Sequence, residues 1–233
     1  MAVEVVDTLP SLLSACRAGA CGARRLLEGY VEPNRGVLAG YIDEHLDGSA
    51  ERLAERVRGA LSWFPGLLAR IAGGVAPRID ASVIASRVEE GVSALSQLLG
   101  VDPGGVRLVF MVTGFDSALS AYGGTIYVGL EWFVEPSALG LREDDPPTPV
   151  LSRLSRDPTG FIVSNAVHEL VHILTPRVAG DPLLARLLEE GRAVNIAWLL
   201  TGASKEAVPP GVPRAQRLRQ VPHKRCSMLC TGT

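Results

Sequence analysis

The segment NAVHELVHIL, residues 165–174, places two of the chain's four histidines four residues apart, with a glutamate between them. An Asp-Pro pair at 157–158 precedes the segment, and Pro176 follows it. Asp at an N-cap, Pro at the first helical position and Pro after the last turn are the signals of a bounded helix. Because four residues advance about 400° along a helix, the spacing predicts that His168 and His172 share one helix face.

Two imidazoles on one helix face are typical of a metal site. In the pattern His-Glu-x-x-His at 168–172, both rings can reach one Zn²⁺ at about 2.0–2.1 Å. Glu169 points about 100° away from His168, so in such sites it reaches the water on the metal, whose pKa the zinc lowers toward about 7. The pattern predicts Zn²⁺ as cofactor and Glu169 as catalytic base. The alternative is a pair of core histidines satisfied by hydrogen bonds.

A catalytic zinc requires a third protein ligand. The longer form of the motif is absent, because Thr175 and Val178 stand where its glycine and its third histidine belong. The next predicted helix, residues 181–202, is bounded by an Asp-Pro pair and a glycine and contains Glu189 and Glu190. One of these two carboxylates is therefore the expected third ligand.

The two glutamates are expected to point to different sides of the helix, because successive residues are rotated by about 100°. Glu190 falls within an otherwise apolar stripe with helical spacing, formed with Leu183, Leu187, Val194 and Ala197. Glu189 falls on the side of Arg186, where we expect a solvated ion pair. A lone carboxylate on a buried face is costly unless it is paired or ligates a metal. We therefore predict Glu190 as the third ligand, with Glu189 as the alternative.

The segment HELVH and the later LLEEGRAV, residues 187–194, resemble the gluzincin metallopeptidases, in which an HExxH helix is followed by a ligand glutamate on the next helix. The likeness is greatest to predicted zinc-dependent proteases of bacteria and archaea with a Glu-Gly-x-Ala form. It covers about residues 106–200 and rests on these two elements alone. It implies that His168, His172 and Glu190 are zinc ligands and that Glu169 is the general base.

The resemblance also carries expectations for residues around the ligands. It implies that Gly191 lets its helix pass close to the site. Thermolysin-like members have an Asp that orients the first histidine, and Val194 stands at that position. Asn165 and Asn195 are the alternatives for this contact.

Two segments rich in β-branched and aromatic residues, 106–114 and 124–133, predict strands of a small sheet. In zincin folds an edge strand before the HExxH helix binds the substrate backbone by strand addition. The resemblance assigns that substrate-binding role to Gly124, Thr125, Ile126 and Tyr127. An ordinary core strand is the alternative. The residue that stabilises the oxyanion stays open among Tyr122, Tyr127, Arg192 and His223.

These elements predict an α+β fold, zincin-like and mainly helical, with a small mixed or antiparallel sheet packed on the HExxH helix. We expect an N-terminal helical region at 1–100, a zincin-like catalytic core at 101–205 and a basic, flexible tail at 206–233. Within the first region, Pro65 is expected to interrupt a helix. Asp80 and Gly100 are expected to bound the helix that follows.

Composition restricts the remaining function classes. The 233-residue chain has a net charge of −2 and no apolar run long enough for a bilayer span. Its N-terminus lacks the pattern of a signal peptide, which predicts a cytoplasmic protein. The four cysteines, Cys16, Cys21, Cys226 and Cys230, have no CxxC spacing and are expected as free thiols. The basic C-terminal segment lacks aromatic residues, so nucleic acid is not an expected partner.

These observations together predict a zinc-dependent hydrolase, a metallopeptidase that cleaves a peptide or protein substrate with a Glu-activated water. The alternative is a catalytically inactive, zincin-derived module that binds a peptide or protein partner.

Overall fold

The computed structural model describes residues 2–16, 21–145 and 147–202. They form a mixed α+β fold, mostly helical, with one four-stranded sheet, which confirms the predicted fold class at this level. The strands are β1 (Val3–Asp7), β2 (Val106–Met111), β3 (Leu119–Tyr122) and β4 (Thr125–Gly129). The helices are α1 (Leu9–Ala15), α2 (Ala23–Leu26), α3 (Arg35–Leu46), α4 (Ala50–Trp63), α5 (Leu67–Arg70), α6 (Ala81–Leu99), α7 (Thr148–Arg156), α8 (Pro158–Leu174) and α9 (Pro182–Thr201).

The sheet is mixed, in the order β1-β2-β4-β3. Strands β1, β2 and β4 run parallel, and β3 pairs antiparallel with β4 at one edge. Successive side chains of a strand point to opposite faces of the sheet. Because all residues from Leu108 to Met111 in β2 are buried, both faces of the sheet are covered, as is usual for parallel strands.

The N-terminal strand β1 departs from the predicted domain organisation. Val3–Asp7 pairs in parallel register with Val106–Phe110, across the boundary that we predicted at residue 100. One continuous buried cluster also extends from Leu9 to Ala193. The expectation that the first hundred residues form only a helical region is therefore wrong at its start. The predicted tail at 206–233 lies outside the described residues.

The predicted helix boundaries are confirmed where a capping residue defines them. The carboxylates of Asp80, Asp157 and Asp181 accept hydrogen bonds from backbone N–H groups in the first turn of α6, α8 and α9. Gly100 and Gly202 end α6 and α9 in the left-handed conformation that favours glycine. Pro65 lies between the end of α4 and the start of α5, as expected.

Helix α8 is fixed by close packing against α6. A Cβ atom on Gly91 of α6 would lie only 2.5 Å from Cγ2 of Val167, a separation that real contacts do not show. The glycine therefore lets the two helix backbones approach directly beside His168. Helix α8 also contacts β3 and β4, and α9 packs against both α8 and α6.

A buried carboxylate holds the loop that connects β2 to the edge strand β3. Glu131 is fully buried. Its Oε1 accepts hydrogen bonds from Thr113 N at 2.8 Å, Thr113 Oγ1 at 2.6 Å and Phe115 N at 2.9 Å. Burial raises the pKa of this carboxyl. Phe115 has φ 62°, a strained value for a bulky residue, and the Glu131 contacts stabilise it.

Asp116 anchors the same loop to α3 and α4. Its carboxylate accepts a hydrogen bond from Tyr41 Oη at 2.8 Å, lies 3.2 Å from Nδ1 of His45 and forms an ion pair with Arg56. His45 also stacks on the Tyr41 ring, with centroids 4.6 Å apart. The loop is therefore tied to the helices as well as to Glu131.

Cys16 and Cys21 are joined by a disulfide. The expectation of free thiols is wrong for this pair, while Cys226 and Cys230 lie outside the described residues. Among the helices that the structure describes, none has the length and apolar character needed to cross a bilayer. The cytoplasmic location stays a prediction.

We predict that Glu131→Ala lowers the free energy of unfolding by about 2–4 kcal/mol, because two buried backbone N–H groups and one hydroxyl lose their acceptor. Urea denaturation measures the loss. The matched control is Glu135→Ala, since Glu135 is exposed and its ion pair within the described residues is with Arg78 at 3.4 Å, a contact worth less than about 1 kcal/mol. Equal losses of stability for the two variants would contradict this role of Glu131 in holding the loop.

Candidate metal centre

His168 and His172 lie on the rim of the buried face of α8. The face that packs into the core consists of apolar residues and one serine, namely Phe161, Ile162, Val163, Ser164, Ala166, Val167, Leu170 and Val171. At the rim, the side chains of His168 and His172 are 13% and 27% exposed. Core packing thus fixes the helix, while both imidazoles stay accessible from one side.

The two imidazoles face each other through the same ring atom. His168 Nε2 and His172 Nε2 are 3.0 Å apart. Two nitrogen lone pairs repel at this separation, so either one nitrogen carries a proton or a cation lies between them. The predicted convergence of the two rings is therefore present in the structure.

Glu190 of α9 completes a three-residue group. Its Oε2 lies 3.4 Å from His168 Nε2 and 3.6 Å from His172 Nε2. The other carboxylate oxygen, Oε1, is 4.0 Å from Nε of Arg186, one turn earlier in α9. The carboxylate is thus oriented, with one oxygen toward the histidines and the other toward a cation.

The three donor atoms fit one face of a tetrahedral zinc site. Zinc bonds of about 2.0–2.1 Å place neighbouring ligand atoms about 3.3–3.4 Å apart, which compares with the observed 3.0, 3.4 and 3.6 Å. The circle through the three atoms has a radius of about 1.9 Å, so points at zinc bond length from all three exist. Two imidazoles and one carboxylate are also a donor set of catalytic zinc. Among the described residues, this is the group of histidine, cysteine and acidic side chains that can hold a metal ion.

The charges in the group favour a cation. Interaction with His168 and His172 holds the pKa of the Glu190 carboxyl well below its usual range. In return, Glu190 raises the pKa of His172, and the negative charges of Glu169 and Glu189 raise it further. Glu169 is half-buried and lies in α8 between the two histidines.

Glu189 has a different contact from the one that we expected. Its Oε1 accepts a hydrogen bond from Val178 N at 2.7 Å, and Arg192 donates to Pro176 O at 3.0 Å. The predicted pairing of Glu189 with Arg186 is wrong, because Arg186 lies beside Glu190. Glu189 and Arg192 instead tie the α8–α9 connection to α9 on both sides of the candidate ligand.

The apolar stripe used to choose Glu190 is not a buried stripe. Leu183 and Leu187 are 71% and 62% exposed. The buried residues of α9 are Ala185, Ala193 and Ala197. The prediction of a buried leucine stripe is wrong because α9 packs through its small residues, which allow a close approach to α8 and α6. Glu190 meets the histidines from the margin of that alanine face.

Gly191, Asn165 and Asn195 do not have the expected roles. A Cβ atom on Gly191 would meet no atom of the described residues within 4 Å, so this glycine does not face the site. Asn165 Nδ2 donates to Phe161 O at 2.9 Å, and Asn195 Nδ2 donates to Gly191 O at 2.7 Å. Both amide nitrogens are thus bonded within their own helices.

The predicted substrate-binding segment is not at the sheet edge. Gly124, Thr125, Ile126 and Tyr127 belong to β4 and to the turn before it, and β4 is hydrogen-bonded to β2 on one side and β3 on the other. Strand addition requires a free edge, so the edge position predicted for these residues is wrong. The edge strand next to β4 is β3, whose weak four-residue signal was missed, and it contacts α8.

The candidates for oxyanion stabilisation lie elsewhere or outside the described residues. Tyr127 is buried and packs on Tyr41 of α3, with ring centroids 5.6 Å apart. Tyr122 borders Gly40 of the same helix. Arg192 is bonded to Pro176 O, and His223 lies beyond the part of the chain that the structure describes.

The chain matches no protein-family model, no curated protein and no solved structure. The geometry of the described residues therefore carries the functional argument.

We predict that the protein binds one zinc ion and that Glu190→Gln lowers its affinity by at least about tenfold, because a charged ligand becomes a weak neutral one. Competition with a chelating dye measures the affinity. Glu189→Gln is the matched control: it removes the neighbouring carboxylate, keeps an oxygen for the Val178 N–H and should change zinc affinity by much less than tenfold. If only Glu189→Gln lowered the zinc affinity, Glu189 and not Glu190 would be the third ligand.

We also predict that zinc affinity rises with pH. Zinc requires neutral imidazoles, and the raised pKa of His172 keeps a proton on the group at a higher pH than for an ordinary histidine. Below that pKa, each pH unit should strengthen binding by about tenfold, for one displaced proton. Chelator competition between about pH 5 and pH 8 tests this. Affinity independent of pH would contradict it.

Proposed function

We propose that the chain is a zinc-dependent hydrolase, a metallopeptidase that acts on peptide or protein substrates. One observation carries the proposal: His168 Nε2, His172 Nε2 and Glu190 Oε2 lie within 3.0–3.6 Å of one another, and Glu169 follows the first histidine. In this proposal the three side chains hold zinc and leave one coordination position open. An open position is the mark of catalytic zinc, whereas structural sites are closed.

In this proposal Glu169 is the residue that transfers the proton during the reaction. Bound zinc would supply Lewis acidity, which polarises the substrate carbonyl and lowers the pKa of water at the metal. Glu169 would accept a proton from the attacking water and deliver it to the leaving amine nitrogen as the C–N bond breaks. Glu169 is half-buried and directly follows the first candidate ligand in α8, which places it close enough to the site for this role.

Strand β3 is the substrate-binding element that we propose. It precedes α8 in the chain, contacts α8 and has one edge without a strand partner among the described residues. An extended peptide can add to such an edge through backbone hydrogen bonds. An antiparallel edge strand beside the HExxH helix also supports a zincin-like fold.

One observation favours the alternative of a metal-holding module without turnover. Of the four candidate oxyanion residues, Tyr127 and Tyr122 pack toward α3, and Arg192 is engaged in the α8–α9 connection. Peptide hydrolysis depends strongly on stabilisation of the oxyanion. A module that binds peptides on β3 would not require that group.

We predict that Glu169→Gln retains zinc but loses hydrolysis by about 10²–10⁴-fold, because the proton acceptor is removed and the ligands are kept. Cleavage of a quenched-fluorescent peptide library by wild type and variant measures the effect. The control is Glu189→Gln, which leaves Glu169 and the ligands in place. Equal turnover by wild type and Glu169→Gln would contradict the mechanism. Zinc binding without any turnover would select the binding module.

A further inference from the structure

Helix α9 is apolar on the side that faces away from the protein as well as on its buried side. The buried side consists of alanines and packs on α8 and α6. On the outward side, five leucines are between 52% and 71% exposed: Leu183, Leu184, Leu187, Leu188 and Leu199. An exposed apolar patch of this kind marks an interaction site.

The outward sector of α9 carries no charge. At 100° per residue, the directions from Leu183 round to Leu199 span about 160°, and no Asp, Glu, Lys or Arg of the helix falls among them. Asn195, the amide in this sector, already donates to Gly191 O. The charged side chains of α9 lie on the other side, toward α8 and the connection. The surface is therefore suited to an apolar partner.

A notch divides this surface at its centre. Gly191 is the tenth of the twenty residues of α9, and the space beyond its Cα is open. A glycine at this place destabilises the helix relative to alanine, and no close neighbour among the described residues requires it. A second helix crossing at Gly191 would require it.

We propose that the outward face of α9 is a dimer interface whose occupant is the α9 helix of a second copy of this chain. A two-fold axis near Gly191 would place the helices antiparallel. Residues 183–188 of one copy would then lie opposite residues 194–199 of the other, where Val194, Trp198 and Leu199 supply the apolar surface. Because the pattern is apolar at both ends and open in the middle, it is self-complementary, as an isologous interface must be.

The exposed area is sufficient for this partner. The five leucines expose roughly 100 Å² each, so two copies bury about 1,000 Å² from these side chains alone, the lower bound for a specific interface. The depletion of charge at the centre of the patch is also the pattern of interface cores. The proposal requires no metal and is independent of the proposed hydrolysis.

Sedimentation equilibrium of the full chain tests the interface. Wild type is expected to have the mass of two chains across the micromolar range. Leu184→Glu/Leu188→Glu should sediment as a single chain, because two charges would be buried at the contact. Gly191→Leu should raise the dissociation constant by at least tenfold, since the side chain fits the free surface but blocks the close crossing.

The matched control is Leu98→Glu on α6, because Leu98 is 62% exposed but lies on another helix. It should leave the dimer mass unchanged. Circular dichroism checks that each variant is folded. A monomeric wild type would overturn the proposal and leave the face to another occupant, a substrate or residues 203–233. A dimer that survives both the double glutamate and the Gly191 variants would overturn it as well.

Discussion

The packing of α9 against α8 through three small side chains is the contact on which the candidate site depends. Ala185, Ala193 and Ala197 allow the two helices to approach closely. This approach brings Glu190 Oε2 within 3.6 Å of both histidines. Larger side chains on that face of α9 would force the two helices apart and move Glu190 away from His168 and His172. The candidate metal centre therefore depends on helix packing as much as on the motif itself.

The charged side chains of α9 make their contacts where this helix meets α8 and the α8–α9 connection. Glu190 faces the histidines, Arg186 orients its second oxygen, and Glu189 with Arg192 fixes the connection between the helices. The opposite side of the helix is left apolar and uncharged. In our proposals this one helix has two roles: its polar side carries a candidate metal ligand, and its apolar side is the proposed interface with a second copy of the chain.

The features that the sequence predicted best depend on residues that are close together in the chain. The caps Asp80, Asp157 and Asp181 act locally and are confirmed. The convergence of His168 and His172 follows from helix geometry, and the structure contains it. Glu190 lies beside these histidines, as predicted, but the buried leucine stripe from which it was chosen is wrong. A helix with leucines on one side and alanines on another does not reveal from its sequence which side is buried.

Long-range pairing was beyond the sequence. The strand β1 depends on a partner about a hundred residues away, although its valine-rich segment does carry a local strand signal. Strand β3 is only four residues long and has a weak local pattern. The interior position of β4, which displaced the predicted substrate-binding segment from the sheet edge, follows from the same pairing. The roles of Glu131 and Asp116 also depend on distant contacts.

The most direct measurement of the central claim is anomalous X-ray diffraction at the zinc absorption edge from crystals grown with zinc. The account predicts one strong anomalous peak about 2.0–2.1 Å from His168 Nε2, His172 Nε2 and one Glu190 oxygen, with a further coordination position free of protein atoms. A zinc peak elsewhere, or a fourth protein ligand that closes the site, would contradict it.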